Sequence, residues 1–458
     1  MKRRPKMTGL FIVLLMMIGY GGFQPAQAAE EGISLTEAIR MALANPYNLG
    51  AYGAGVTEAE AQVAQADAAR WPAVSLSTNY TKVGPYTTIE MNYLPDPSGG
   101  FNVLPTPKKV DGTGTYSTGI NFQFPLYMGG KLTAAADLAQ LGLDGAELNY
   151  QTAYENLVYQ IVQAYVGVLK ADGMLALTRD QIKLLSEHQR LIETNLNLGY
   201  ATQSDLMETK IRLTQAELGA VRAEHGKKLA LENLCTLLGI PPQDLVLTSK
   251  PALAAEHELP ELETVIRRAE TNRPELRNLA LAVRSAEANL ELARGYWKPN
   301  LVMIGAYEAQ NPDHPSLKDA VWRFTLNLDW KFFDAGAGKA GVQQAEANLE
   351  KLRFQLAQTK DLIQLEVRQK YLAVTEAAQV LSLTKLSLSQ AEENYMLQKA
   401  KFELGVATNL ELLTAQNTLN AARNDYLNAE YDYFLAVAAL YHALGETEDF
   451  MLEVRDDA

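Results

Sequence analysis

Two periodicities alternate along this chain. No proline occurs from Lys131 to Ile240, and none after Pro315. Inside the first run Leu157, Ile161, Ala164, Val168, Ala171 and Leu175 recur in steps of four and three, the spacing of an apolar seam between packed helices. Shifted by 206 residues, the set becomes Ile363, Val367, Lys370, Val374, Ala377 and Leu381, a seam with one charged interruption. Ala, Gln, Leu and Glu dominate both runs, so local propensity agrees with the pattern. A helix from about Lys131 to Asn195 would be roughly 95 Å long, far beyond the usual length of about 10–14 residues.

The second periodicity is two. In "VSLSTNYT" Val74, Leu76, Thr78 and Tyr80 share one face, with Ser75, Ser77, Asn79 and Thr81 opposite. In "YSTGINFQFPL" Ile120, Phe122, Phe124 and Leu126 oppose Gly119, Asn121, Gln123 and Pro125. The clearest case is "VWRFTLNLDWKFF", where Trp322, Phe324, Leu326, Leu328, Trp330 and Phe332 oppose Arg323, Thr325, Asn327, Asp329 and Lys331. "NLVMIGAYEAQ" from Asn300 alternates least and is read as the partner of that strand. About ten residues with one apolar face and aromatics toward the ends is the pattern of an outer-membrane β-strand. Two hairpins supply four strands, and four strands cannot close. An open sheet in lipid would strand backbone groups at several kcal/mol each, whereas barrels begin at about eight strands. The strands are therefore expected to join a barrel shared between copies, eight strands for two copies or twelve for three. Between Val83 and Thr115 lie Pro85, Pro95, Pro97, Pro105 and Pro107 with several glycines, which predicts a long irregular loop outside the cell. "NPDHPS" at Asn311 is its shorter counterpart.

The order helix, hairpin, two long helices occurs twice. "LNLGYATQSDLMETK" at Leu196 and "FELGVATNLELLTAQ" at Phe402 place Gly199 and Gly405 206 residues apart. The same offset pairs Gln163 with Gln369 and Tyr165 with Tyr371, whereas Trp71 of "RWP" and Trp297 of "YWKP" match at an offset of 226, and "ANP" ending at Pro46 and "NRP" ending at Pro274 at 228. The expected division is 29–240 for the first repeat, 241–260 for a linker, 261–445 for the second repeat and 446–458 for a tail. Gly199 and Gly405 are predicted to end the outbound helices in left-handed geometry. Thr202 and Thr408 are predicted to cap the returning ones, with Asp205 and Glu411 in their first turns.

The ends and the charge narrow the class. "MKRRPK", the apolar "GLFIVLLMMIGYGGF" and "AQA" at Ala26 read as a cleaved signal peptide over 1–28. No later run is read as a transmembrane helix. Removing the signal's four basic residues takes the formal charge from −13 to −17, against nucleic-acid binding. The single Cys235 permits no disulfide framework, and the five scattered histidines show no zinc spacing. No phosphate loop or nucleophile elbow is present. Neither an enzyme nor a bound cofactor or metal is expected.

The duplicated order, the strand-exit glycines in "LYMGGK" and "FFDAGAGK" and the paired turns together resemble the TolC-type outer-membrane efflux protein family. The resemblance covers nearly the whole mature chain. It implies a mainly α fold with membrane β, in which long antiparallel helices form a trimeric α-helical tunnel. Four strands per chain would join a shared 12-stranded outer-membrane barrel. The implied function is a passive homotrimeric exit duct, fed by an inner-membrane transporter (RND or ABC type) through a periplasmic adaptor (membrane fusion protein). An outer-membrane duct for type I protein secretion is the alternative, and a periplasmic coiled-coil adaptor or adhesin is the rival of a different class.

By resemblance, the tip turns at Gly199, Ala201, Thr202, Gly405, Val406 and Thr408 would touch the adaptor. Glu411, with Asp205 and Glu208, would narrow the tunnel mouth; Thr414 stands where some members carry a second acid, and Ala407 where a basic latch partner could be. Three converging copies of each carboxylate would raise one another's pKa. Trp71, Trp297, Trp322 and Trp330 are candidates for membrane-interface aromatics in contact with outer-membrane lipid.

Overall fold

The computed structural model describes residues 32–247, 252–253 and 259–455. The signal peptide expected over 1–28 and part of the expected linker lie outside the described residues.

Helices α1 (Leu35–Ala44) and α2 (Pro46–Ala68) meet at Asn45, whose side chain accepts the Tyr47 N–H, with Pro46 in the first helical position. The first hairpin region follows, β1 (Ala73–Lys82), β2 (Tyr86–Pro95), β3 (Phe101–Val110) and β4 (Gly114–Tyr127). Two long helices complete the repeat, α3 (Lys131–Asn197) and α4 (Gln203–Leu238). After the short β5 (Ala252–Leu253), the second repeat has α5 (Leu262–Asn272), α6 (Pro274–Arg294), β6 (Asn300–Asn311), β7 (Val321–Asp329), α7 (Ala337–Glu403) and α8 (Asn409–Leu444). The chain ends with α9 (Thr447–Glu453) and β8 (Val454–Arg455), which pairs with β5.

The long helices form one layer. Toward the strands its order is α2, α3, α6, α7, and toward the far tip it is α4, α3, α8, α7. Helix α3 is central at both ends and has neighbours on several sides. Val158, Ile161, Val162, Tyr165 and Val166 are accordingly all buried, and the Tyr165 hydroxyl donates to the Ile33 carbonyl at 3.0 Å. This burial corrects one expectation. By length and composition α3 is apolar enough to cross a membrane, because a helix enclosed by others is apolar nearly all round. The main core lies midway along the layer, where α1, α5 and the ends of α4 and α8 close on α3 and α7. Arg273, itself buried, binds Glu275 at 2.9 Å, Glu366 at 3.0 Å and the Ala443 carbonyl at 3.0 Å there.

The sheet runs β1-β4-β6-β7, antiparallel throughout. Its register aligns Leu76, Ile120, Tyr307 and Trp322 across four strands, and Val74, Phe122, Gly305 and Phe324 beside them. The opposite face carries Ser75, Asn121, Ala306 and Arg323, with Arg323 3.8 Å from Glu308. β6 alternates weakly because Val302, Ile304 and Ala306 lie on that second face. Strand β7 stops at Asp329, so Trp330 and Phe332 do not extend its apolar face as the alternation implies. The next partner in register would be Pro299, which has no N–H for the ladder.

The proline-rich stretch is not an irregular loop. β2 and β3 pair over their whole length as a two-stranded ribbon, Tyr86 against Val110 and Pro95 against Phe101. Pro105 and Pro107 sit two apart, so the residues between and beside them still supply alternate N–H groups, and an edge strand tolerates the loss.

The paired tip as candidate functional site

Both outbound helices stop in the same way. Gly199 and Gly405 take φ of +81° and +71°, a region open to glycine and strained for other residues. The Gly199 N–H donates to Leu196 O at 3.0 Å and the Tyr200 N–H to Asn195 O at 2.7 Å. Gly405 and Val406 repeat the pattern with Phe402 O at 3.0 Å and Lys401 O at 2.9 Å. These are paired helix stops of the Schellman type.

Both returning helices start in the same way as well. The Thr202 hydroxyl oxygen accepts the Asp205 N–H at 3.2 Å, and the Asp205 carboxylate accepts the Thr202 N–H at 2.9 Å. Thr408 and Glu411 make the equivalent bonds at 3.3 and 2.7 Å. Each is a capping box. The bonds from the Thr202 hydroxyl and backbone hold the Asp205 carboxyl below its ordinary pKa. Those from the Thr408 backbone and hydroxyl do the same for Glu411. Within one chain the shift is thus downward, opposite in sign to what convergence of three copies would add. Glu208 lies 3.7 Å from Arg212 one turn on. Glu411, Thr414 and Thr418 are exposed at steps of three and four, so they form one open stripe on α8.

The two tips are tied together by a pair the sequence reading does not single out. His188 on α3 and Asn409 at the start of α8 are both buried, with Nε2 and Oδ1 2.6 Å apart. Asn409 Nδ2 donates to the Asp205 carbonyl at 3.3 Å, and the Phe402 ring meets the His188 ring edge-on at 5.5 Å. Three helices therefore meet at one imidazole, and Asn409 links it to the fourth, so both repeats are tied together there. The signal is a departure from the repeat: at the 206 offset His188 matches Asn394 and Asn409 matches Gln203. Around this junction Leu198, Tyr200, Leu404 and Val406 are exposed apolar side chains, Ala201 is half-buried, and Thr202 and Thr408 are exposed.

At the other end of the molecule Trp71 lies at the α2–β1 junction, and Trp297 and Trp330 meet where α6 and β7 end, with Trp330 Nε1 donating to Trp297 O at 3.1 Å. Trp322 lies near the opposite end of β7. The eight steps from Trp322 to Trp330, the last one beyond the end of β7 at Asp329, span about 26 Å of extended chain, comparable to the apolar band of a barrel, about 25 Å.

A family model described as outer membrane efflux protein matches residues 38–240 and 265–446, which takes in both repeats. The chain belongs to the outer membrane efflux protein family. Alkaline protease secretion protein AprF of Pseudomonas aeruginosa is 25% identical over 313 residues, 67% of this chain and 64% of that relative. Outer membrane protein TolC of Vibrio cholerae is 21% identical over 354 residues, 76% of this chain and 81% of the relative. A solved structure of CusC superposes with a TM-score of 0.77 at 20% identity, covering 90% of this chain and 92% of that one. This efflux protein is accordingly an outer-membrane channel component with a helical periplasmic extension, in a family of channel proteins and not of enzymes.

Proposed function

We propose that three copies of this chain form a passive exit duct, a 12-stranded barrel continued by a helical tunnel whose mouth is narrowed by Glu411. The supporting observation is that sheet and helical layer are open at the same two edges. Among the described residues, β1 and β7 each lack a partner on one side. Below them α4 exposes Met207, Ile211, Leu218 and Val221, and α7 exposes Leu362, Leu365, Leu372 and Leu383, both at helical seam spacing. An edge of one kind meeting the other kind on the next copy is a heterologous contact, which gives a ring when the rotation between copies closes. Three is the copy number that the family resemblance implies. The tip's apolar rim at Tyr200, Leu404 and Val406 then faces the periplasm as the docking surface for an adaptor, which couples the duct to an inner-membrane transporter. A relative named for secretion within a family named for efflux fits a duct that leaves cargo choice to that transporter.

The test is native mass of the detergent-purified protein, followed by single-channel conductance in a planar bilayer for wild type, Glu411→Ala and Glu411→Gln. A trimer with a small cation-preferring conductance is expected. Both variants should lose the preference, but Glu411→Gln keeps a side chain able to cap Thr408. Selectivity unchanged in both would move the constriction to Asp205 and Glu208, and folded protein that forms no channel would overturn the duct.

A further inference from the structure

The ribbon β2–β3 is the outward continuation of the hairpin β1–β4. Lys82 faces Gly114, the Val83 N–H reaches Thr113 O at 3.0 Å, and Tyr86 faces Val110. Residues 83–85 and 111–113 lie outside both sheets, but the pairs on either side keep one register with no residue inserted or lost, so side-chain parity counts through from the barrel strands into the ribbon. The chemistry inverts there. Below the joint the even-numbered side is apolar (Val74, Leu76, Ile120, Phe122) and the odd-numbered side is polar (Ser75, Ser77, Asn121). Above it the middle of the even-numbered side is mostly polar, with Asn92 bonded to Thr106 and Lys108 3.5 Å from Glu90, while Tyr86 and Val110 at its base and Leu94 and Leu104 nearer its tip stay apolar. The odd-numbered side becomes Ile89, Met91, Tyr93, Phe101, Val103 and Pro105.

A hairpin simply leaving the membrane for water would lose its apolar face; one running on through lipid would keep it on the even side. This one has moved it to the side that continues the barrel's inner wall. The face is uncovered in the single chain: Phe101 is 73%, Tyr93 68% and Ile89 66% exposed, and no other element of the described chain packs substantially on either strand.

We propose that the odd-numbered faces of the ribbons from neighbouring copies pack on one another over the outer mouth, as an apolar cap at the end opposite the tip. The inference rests on the ring assembly proposed above. Three features select a second copy as the occupant. Register parity turns the face toward the duct axis and away from lipid. The ribbon hangs from β1, the edge strand at which copies would join. The face between Ile89 and Phe101 also carries no charge that identical copies would oppose. Its reach is sufficient. Ten residues extend about 33 Å, whereas twelve strands about 4.8 Å apart and tilted about 40° enclose a radius of roughly 12 Å.

The test uses the full chain in native outer membranes, in a Cys235→Ala background, with Met91→Cys on the apolar face and Asn92→Cys on the polar one. A short bismaleimide should link Met91→Cys chains into covalent dimers, one cysteine per copy permitting no more, and leave Asn92→Cys chains single. Val103→Cys, on the same face, repeats the test should Met91→Cys not reach the membrane. Native mass of the same samples separates the two claims. A ring without crosslinks overturns the cap and leaves the duct standing, whereas chains without a ring sink both. Quenching of a fluorophore on Met91→Cys by a quencher held in the lipid tails would place the face in the membrane and also overturn the cap.

Discussion

The two repeats are alike in local structure and unlike in burial. α3 and α7 have the same length, and so do α4 and α8. Both turns have the same glycine stop and the same capping box. Yet buried residues run along most of α3, while on α7 only Gly338, Leu349, Ile363, Val367, Val374 and Ala391 are buried. Among the returning helices the order reverses: α8 is buried along much of its length, α4 is not. The cause is position. α3 and α8 lie inside the layer and α4 and α7 at its edges. Duplication copied the instructions that act within a few residues; place in the assembly decides which seam is covered by its own chain.

The strongest way to break this comparison is to alter equivalent residues of the two long helices. Leu372 is 63% exposed and its counterpart Val166 is fully buried. Leu372→Glu is expected to leave the secondary structure intact and abolish the ring, read as monomer in native mass. Val166→Ala should keep the ring but destabilise the chain by roughly 2 kcal/mol through the cavity it leaves, read as a lower thermal midpoint. If Leu372→Glu still assembles, the α7 edge is not a contact between copies.

What was legible in the sequence follows the same division. Helix stops, caps and strand faces depend on neighbours a few residues away, so Gly199, Thr408 and the Trp322 face stand out by inspection. The ribbon was hidden because prolines mask a strand when alternation is sought along one segment alone. Its two halves show their shared apolar face only once Met91 is set opposite Pro105. The His188–Asn409 bond joins residues 221 apart in sequence, and nothing local marks either as buried. The open stripe Glu411, Thr414, Thr418 was half visible, since the acid is plain but the facing of the helix is set by packing.

The second comparison sharpens the claim of local equivalence. Thr202→Ala and Thr408→Ala should each cost about 1 kcal/mol, and Gly199→Ala and Gly405→Ala about 1–2 kcal/mol from the left-handed backbone. Each pair should agree within about 0.5 kcal/mol, measured by hydrogen exchange in the first turns of α4 and α8. A cap worth far more in one repeat would mean that the shared motif serves the assembly unequally.

The smallest expected effect concerns the one place where the tips are chemically unequal. Burial lowers the pKa of His188, with the Asn409 bond opposing. Lys399, Glu403 and Tyr395 of α7 and Glu187 of α3 line the same small cavity, and Asn409 of α8 links it to the Asp205 carbonyl of α4. The unfolded imidazole titrates near its ordinary value, about 6.5. Between that value and the lowered one the unfolded chain binds a proton that the folded tip does not, so stability rises with pH across that window. Above the window the linkage vanishes, and below it the loss is complete. Asp205 and Glu411 have depressed values, so their contribution is present above about pH 4 and fades as pH falls through their folded pKa. The two effects therefore occupy separate ranges. At about pH 5.5 against 7.5, after correction for intrinsic rates, amides at the start of α8 should exchange faster. His188→Asn, which supplies the residue found at the exposed counterpart Asn394, should remove that difference and leave the lower range unchanged. A pH response that survives His188→Asn would assign it to other groups and leave the two tips equivalent in this respect.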